Sequence, residues 1–402
     1  MRILLVSQYF SPENFKGNDI AFELQKRGYQ IDALTGIPNY PQGHYLEGYG
    51  IFKRRREIIK GVHVYRAFQF PRGNSNKLLM ALNYFSYPFF ASLYILFFLV
   101  WKKYDAVFVQ QLSPIFQAFP AILLKRMKKI PLYMWVLDIW PDALRSAAGV
   151  KNDKILNIVD KFVQFTYRNC DKILISSRGF FDLVNSKHNY SDKIIYFPNW
   201  SDDILEMDDN YEIPQLPDGF KIMIAGNLGK SQNLEAVSEA MLGLKDVSEV
   251  KWVFVGGGSK KEWLEQFIKE NGLSEQAVCL GQFPFKAMPA FFKQADAMLV
   301  TLRAGYPHLE AVVPARLQSY MSAGRPVLAM IGNGGAEIIN ESQCGYAVSA
   351  GDPQGLATVI KEKVLTNKDE FQRMGEKGRE YYNSNYRMDK CIDNLCGILN
   401  IR

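Results

Sequence analysis

Short apolar runs alternate along the chain with longer segments whose apolar residues recur at helical spacing. Residues 3–7 form such a run, a loop with Pro12, Asn14 and Gly17 follows, 20–26 have helical periodicity, and 30–34 are a second run. That order reads as strand, loop, helix, strand. Further strands are expected at 106–110, 132–137 and 173–176, each separated from the next by enough chain for a crossover helix. Residues 1–200 therefore predict a doubly wound α/β domain. The stretch 201–218 is acidic, poor in β-branched residues and punctuated by Pro214 and Pro217, which reads as a linker. The rhythm then restarts with a strand at 222–225, a glycine loop at 226–230 and a helix at 234–244. Four more strands are expected at 252–255, 277–280, 297–301 and 327–330. Two such domains would face a cleft, with ligands outside the carboxyl ends of the strands.

One segment departs from this pattern. Residues 78–101 carry no charge over 24 positions, long enough to span a bilayer as a helix. Asn83, Ser86, Pro88 and Ser92 argue against a spanning helix, which would also put the first two strands across the membrane from the rest of their sheet. A buried core helix is the plainer alternative. An interfacial or hairpin segment broken near Pro88, with Tyr84, Tyr87 and Tyr94 at headgroup level, is the favoured expectation. Lys53, Arg54, Arg55, Arg56, Lys60, Arg66, Arg72 and Lys77 precede it and Lys102 and Lys103 follow, a flank suited to an anionic membrane surface.

Charge sharpens that reading. The net of +7 divides into 27 basic against 14 acidic residues up to position 200, and 21 against 27 after it. A basic first half fits nucleic acid, anionic lipid or a phosphorylated substrate. No nucleic-acid-binding module is recognisable, so nucleic acid is not expected as a partner. The five cysteines are scattered and show neither a disulfide framework nor zinc spacing, which fits a reducing cytoplasm. The start MRILLVSQYF turns polar too soon for a signal peptide and reads as a first buried strand.

Candidate chemistry is narrowed by what is missing. Gly-x-Gly-x-x-Gly is absent after the first strand and no acidic residue ends the second, which disfavours a nicotinamide cofactor; no Walker-type P-loop occurs either. Residues 310–327 are more informative: Pro314 stands where a helix should begin and Gly324 where it should end. The free amides of that first turn, with Arg316 upon it, form a site for a diphosphate; a solvated surface arginine is the plainer alternative.

The chain resembles glycosyltransferase family 4, the retaining transferases of GT-B architecture, and within it the capsule and O-antigen branch that includes N-acetyl-L-fucosamine transferases. The resemblance rests on Tyr9-Phe-Ser-Pro-Glu13, Gly36-Ile-Pro-Asn-Tyr-Pro41, Asp138-Ile-Trp-Pro-Asp142, Pro198-Asn-Trp200, Ala225-Gly-Asn-Leu-Gly229, Val255-Gly-Gly-Gly258, Gly281-Gln-Phe283, the block from Glu310 to Pro326 and Met374-Gly-Glu-Lys-Gly-Arg379. It implies an α/β fold of two Rossmann-like, doubly wound domains: an acceptor domain over 1–200, a nucleotide-sugar domain over 219–375, and a C-terminal helix in 376–402 crossing back to the first.

By that resemblance Glu310 lies near the donor sugar, Arg316 against the diphosphate, and Asp138 positions an acceptor hydroxyl; a turn-capping role for Asp138 is equally expected. Donor contacts are expected from Gly226, Asn227, Gly229, Lys230, Gly256, Gly281, Phe283, Val313, Pro314, Ala315 and Ser319, and acceptor contacts from Glu13, Gly17, Asn39, Tyr40, Trp140, Asp142 and Asn199. The sequence departs from the family pattern at Ser319, where a ribose-binding carboxylate is usual, at Asn227 and Gln232, where cations are usual, and at Leu137, where a histidine is usual. No Asp-x-Asp occurs, so neither a metal nor a cofactor is expected, and the resemblance implies a front-face substitution assisted by the leaving phosphate. The reading is a cytoplasmic transferase, peripheral or monotopic at the inner face of a bacterial plasma membrane. It would move an N-acetylated 6-deoxyhexosamine from UDP to a polyprenyl-diphosphate-linked saccharide. A hexose or GDP-fucose donor, and an inactive membrane-surface scaffold, are the alternatives; a solute-binding protein is disfavoured for want of a signal peptide.

Overall fold

The computed structural model describes residues 1–73, 77–150 and 152–400. Two units emerge: Met1–Ser176 with Phe180–Phe197 and the C-terminal stretch from Ile392, and Ser177–Gly179 with Pro198–Cys391.

The first unit is built on an eight-stranded sheet. Its strands are β1 (Arg2–Val6), β2 (Gln30–Gly36), β3 (Arg56–Ile59), β4 (Val62–Ala67), β5 (Ala106–Gln111), β6 (Leu132–Val136), β7 (Lys172–Ile175) and β8 (Ile194–Tyr196), in the order β3-β4-β2-β1-β5-β6-β7-β8. All neighbours are parallel except the β3–β4 hairpin. Parallel strands covered on both faces must be apolar throughout, and β1, β5 and β6 are buried along nearly their whole length. Strand order reverses between β1 and β5, so the loops leaving those two strands flank the switch point.

The β3–β4 hairpin arises where the sequence reads as a lipid-facing basic flank. Arg66, expected in that flank, is fully buried: its Nε donates to Glu57 Oε1 at 2.9 Å and its Nη2 to the Ser11 carbonyl at 2.6 Å. Arg56 Nε donates to Tyr94 Oη at 2.7 Å, and Lys102 pairs with Asp32 at 3.3 Å. Part of the basic run therefore neutralises or caps groups of its own unit.

The uncharged segment folds as one helix. With α1 at Lys16–Lys26, α2 spans Lys77–Tyr94 and runs on into a wider π-turn at Ile95–Leu99. It passes through Pro88 without the expected break. One face packs on the sheet, with Asn83, Tyr87, Ala91 and Ile95 fully buried. Tyr87, expected among headgroups, instead donates its hydroxyl to the Leu34 carbonyl at 2.9 Å. The opposite face shows Leu78, Leu82, Phe85, Phe89 and Phe97 to solvent, spaced three or four residues apart through Phe89. Packing of one face on the sheet of its own unit argues against the spanning reading, although the segment is long and apolar enough to span.

Beside α2 lie α3 (Phe119–Lys128) and, after α4 (Asp142–Ala148), α5 (Asp153–Asn169). The α5 helix repeats the design, burying Leu156, Val159 and Val163 while Ile155, Ile158, Phe162 and Phe165 are exposed. Rings join the two faces: Phe85 stacks on Phe116 at 5.2 Å, and Phe116 meets Phe162 at 5.4 Å.

The second unit has a six-stranded, wholly parallel sheet of β9 (Phe220–Ala225), β10 (Val250–Val255), β11 (Ala277–Gly281), β12 (Ala297–Thr301), β13 (Val327–Met330) and β14 (Gly345–Val348), ordered β11-β10-β9-β12-β13-β14. Its switch point lies between β9 and β12. The acidic stretch expected as a linker is part of this unit, for Ile204 and Leu216 lie in its core. Asp203 pairs with Arg379 there, and the Tyr382 hydroxyl donates to the Ser201 carbonyl at 3.0 Å.

Candidate active site

The second unit brings its candidate residues together at the carboxyl ends of the central strands. β9 ends at Ala225, whose N–H donates to the Tyr320 hydroxyl at 3.0 Å while its carbonyl accepts from that hydroxyl at 3.2 Å. Tyr320 is 1% exposed and belongs to the helix Ala315–Ser322, so it bolts that helix to the end of the central strand. Arg316 lies one turn earlier on the same helix face. Its Nη2 donates to the Asn227 carbonyl at 3.1 Å, while its Nη1 is buried without a hydrogen-bond acceptor among the described residues. A buried guanidinium nitrogen left without an acceptor is costly, and an anionic oxygen relieves the cost.

Close backbone approach makes room for such an anion. The N–H of Gly226 donates to Val255 and that of Gly256 to Gly281, so three glycines lie in a row across the ends of β9, β10 and β11. Gly256 has φ +151°, and a Cβ upon it would lie 1.8 Å from the Gly226 oxygen. Gly281 has φ +82°, and Phe283 beyond it meets Phe291 edge-on at 4.8 Å. Asn227 and Lys230 are exposed, Gly229 and Val313 are buried, and Ser319 is half-buried beside Arg316 on the helix. The helix begins after Pro314, and Ala315 is exposed at its first turn.

Glu310 is exposed on a separate short helix, Pro307–Ala311, and its Oε1 accepts the Gly305 N–H at 3.0 Å. The loop after β13 backs this segment so closely that a Cβ on Gly332 would fall 2.3 Å from Glu310 Cα. Gln232 lies buried in the loop after β9, with Oε1 lacking a donor among the described residues and its carbonyl accepting from Thr301 Oγ1 at 2.5 Å. Tyr320, Gly332 and Gln232 were not expected as site residues. The positions of Tyr320 and Gln232, a helical turn past Arg316 and at the end of the glycine loop, were the available signals.

In the first unit, several residues expected to contact the acceptor are buried and hold neighbouring loops instead. Glu13 is 3% exposed; its Oε1 accepts the N–H groups of Asn39 at 2.8 Å and Tyr40 at 2.7 Å. Burial pushes its carboxyl up to about 7, against the pull of those amides and of Arg66. Gly17 donates to Gln110 Oε1 at 3.0 Å, and a Cβ there would collide with that atom at 2.3 Å. Asn39 is fully buried and its Oδ1 accepts the Arg72 N–H at 3.0 Å.

Trp140, expected as a wall, is 3% exposed; its Nε1 donates to Ser113 Oγ at 3.0 Å, and Ser113 in turn donates to Asp138 Oδ2 at 2.7 Å. The tryptophan therefore orients the half-buried Asp138 through the serine. Tyr40 is 39% exposed and Asp142 half-buried at the start of α4, so both reach solvent. Asn199, expected with the acceptor domain, lies in the second unit, where its Oδ1 accepts the Trp200 N–H at 3.0 Å.

Comparison with known proteins bears on the fold and the enzyme class. Residues 208–381 match the family model described as Glycosyl transferases group 1. The Escherichia coli (strain K12) protein named as a colanic acid biosynthesis glycosyl transferase, WcaI, is 26% identical over 345 residues, 81% of this chain and 82% of its own. Sucrose-phosphate synthase from Thermosynechococcus elongatus superposes with a TM-score of 0.75 at 13% identity, covering 99% of this chain and 98% of that one. Anabaena HepE, solved with UDP and glucose, superposes with a TM-score of 0.68 at 14% identity over 100% and 99% of the two chains. The fold is GT-B, and the chain is a glycosyltransferase.

Proposed function

We propose that this glycosyltransferase moves a sugar from a nucleoside-diphosphate carrier to a polyprenyl-diphosphate-linked saccharide during assembly of a surface polysaccharide. The observation that carries the donor half is the buried, unsatisfied Nη1 of Arg316 beside the glycine row. It supplies a full charge and an unused donor at the point where a helix start and loop amides also present N–H groups. WcaI, a glycosyl transferase of colanic acid biosynthesis by name, and HepE, solved with UDP and glucose, support a nucleotide-sugar donor and a polysaccharide product. The carrier is UDP in this reading and the sugar an N-acetylated 6-deoxyhexosamine.

The reaction proceeds with retention. The acceptor oxygen bonds to the anomeric carbon while that carbon's bond to the β-phosphate oxygen breaks. The electron pair leaves with the nucleoside diphosphate, and the hydroxyl proton passes to a phosphate oxygen of the leaving group. Arg316 and the loop amides balance the growing charge without a metal ion, and Glu310 holds the sugar. Asp138, fixed by Ser113 and Trp140, orients the acceptor hydroxyl. The enzyme works at the cytoplasmic face of the membrane, held there by the exposed apolar faces of α2 and α5 and by neighbouring exposed cations such as Arg126 and Lys161.

The test is transfer of radiolabelled sugar from a panel of UDP- and GDP-sugars to a lipid-linked saccharide. Turnover with one UDP-N-acetyl-6-deoxyhexosamine is the expected result. Turnover only with a GDP-sugar would overturn the donor assignment, and none with any donor would leave a scaffold.

A further inference from the structure

The basic run before α2 contains, in Arg72, a cation that the protein walls with aromatic rings without pairing it to a carboxylate among the described residues. Arg72 follows β4 and is tied to Asn39 through its backbone N–H. Its guanidinium lies 5.5 Å from the centre of the Tyr40 ring and 5.9 Å from that of Tyr84, and Tyr9 lies 5.6 Å from Tyr40. Among the described residues it forms no ion pair, whereas Arg66, Lys102 and Arg2 each have a carboxylate. A half-buried guanidinium walled by aromatic rings is the setting in which an anion is bound strongly, since the charge has already lost much of its water.

Tyr84 connects this box to two other features. It belongs to α2, where Leu82 and Phe85 beside it in sequence are 39% and 60% exposed, so the box adjoins the apolar stripe. Its phenol is raised by burial, lowered by Arg72 and raised again by the negative charge of Asp138. A cation and an apolar track thus meet at one tyrosine that also feels the charge of Asp138, matching the charged head and the tail of an amphiphilic acceptor.

We propose that Arg72, boxed by Tyr9, Tyr40 and Tyr84, is the subsite for the phosphate groups of the acceptor, with the lipid leaving along the exposed face of α2. The inference rests on the lipid-linked acceptor of the proposed function. Its shared chemistry is a diphosphate, whether free or carried by a lipid.

The experiment is calorimetric titration of the full-length protein with farnesyl diphosphate and with inorganic diphosphate, under saturating UDP to occupy the second unit's site. Wild type, Arg72→Met, Arg72→Lys and a Leu82→Ser/Phe85→Ser double variant are compared, with thermal unfolding to confirm that each is folded. Arg72→Met should weaken both probes by about tenfold or more, as expected for a lost charge-assisted contact, with Arg72→Lys between it and wild type. The double variant should weaken farnesyl diphosphate alone. Wild-type affinity of Arg72→Met or Arg72→Lys for both probes would overturn the subsite. Equal binding of the two probes by wild type, lost in Arg72→Met, would keep the anion subsite and overturn the lipid-linked acceptor instead.

Discussion

Glu13→Gln should shift the stability of the first unit in a pH-dependent way, because Glu13 is a buried carboxyl whose proton affinity is raised on folding. Its carboxyl moves from 4.5 to about 7, chiefly through burial. Below the unfolded value both states hold the proton and the group costs nothing. As pH rises from there through about 7, the unfolded chain ionises more readily than the folded one, and stability is lost. Those two values place about 1 kcal/mol of that loss before pH 5.5 and about 3 kcal/mol before pH 8.5. Glutamine keeps an oxygen for the Asn39 and Tyr40 amides and cannot ionise. Wild type minus Glu13→Gln stability, measured by urea unfolding, should therefore fall by about 2 kcal/mol between those two pH values. A difference that stays constant, or grows in favour of wild type at high pH, would refute the reasoning. It would mean that the two amides, rather than burial, set the proton affinity.

The same geometry predicts other outcomes. Tyr320→Phe removes both bonds to Ala225 and leaves a buried backbone N–H without a partner, so the second unit should lose about 1–3 kcal/mol in denaturant unfolding, with donor affinity falling too. Gly256→Ala places a methyl 1.8 Å from the Gly226 oxygen at a φ that disfavours side chains, and should abolish donor binding or folding of that loop, read by protection of its amides from exchange. Replacing Leu82, Phe85 and Phe89 by serine should release the protein from anionic vesicles in a flotation assay while its melting temperature holds, because these side chains are 39–60% exposed. Transfer should persist in excess EDTA; loss restored by magnesium would overturn the metal-independent reading.

Much of the second unit was legible because each feature had a local cause. Its parallel strands are buried on both faces and so read as unbroken apolar runs, and Pro314 and Gly324 bound a helix by chain stereochemistry alone. The first unit was harder where one residue type serves two ends. Arg66 and Arg72 look alike in a basic run, yet one is paired with Glu57 in the core and the other is held by tyrosines; only the β3–β4 hairpin separates them. The hairpin was hidden because β3 alternates exposed and half-buried positions over only four residues, two of them charged. In α2, Pro88 marks a helix break by propensity, but tertiary packing of Tyr87 and Ala91 on the sheet carries the helix through. Trp140 and Glu13 stand out by motif, while their inward orientation depends on partners more than twenty residues away in sequence.

The account turns on the unsatisfied nitrogen of Arg316, and the most direct measurement is titration of UDP and GDP into wild type and Arg316→Met. A charge-assisted contact to the diphosphate contributes about 1.5–3 kcal/mol, so UDP affinity should fall by about 10- to 100-fold in the variant. Equal affinity for UDP in the two proteins would contradict the assignment of this helix start as the diphosphate site.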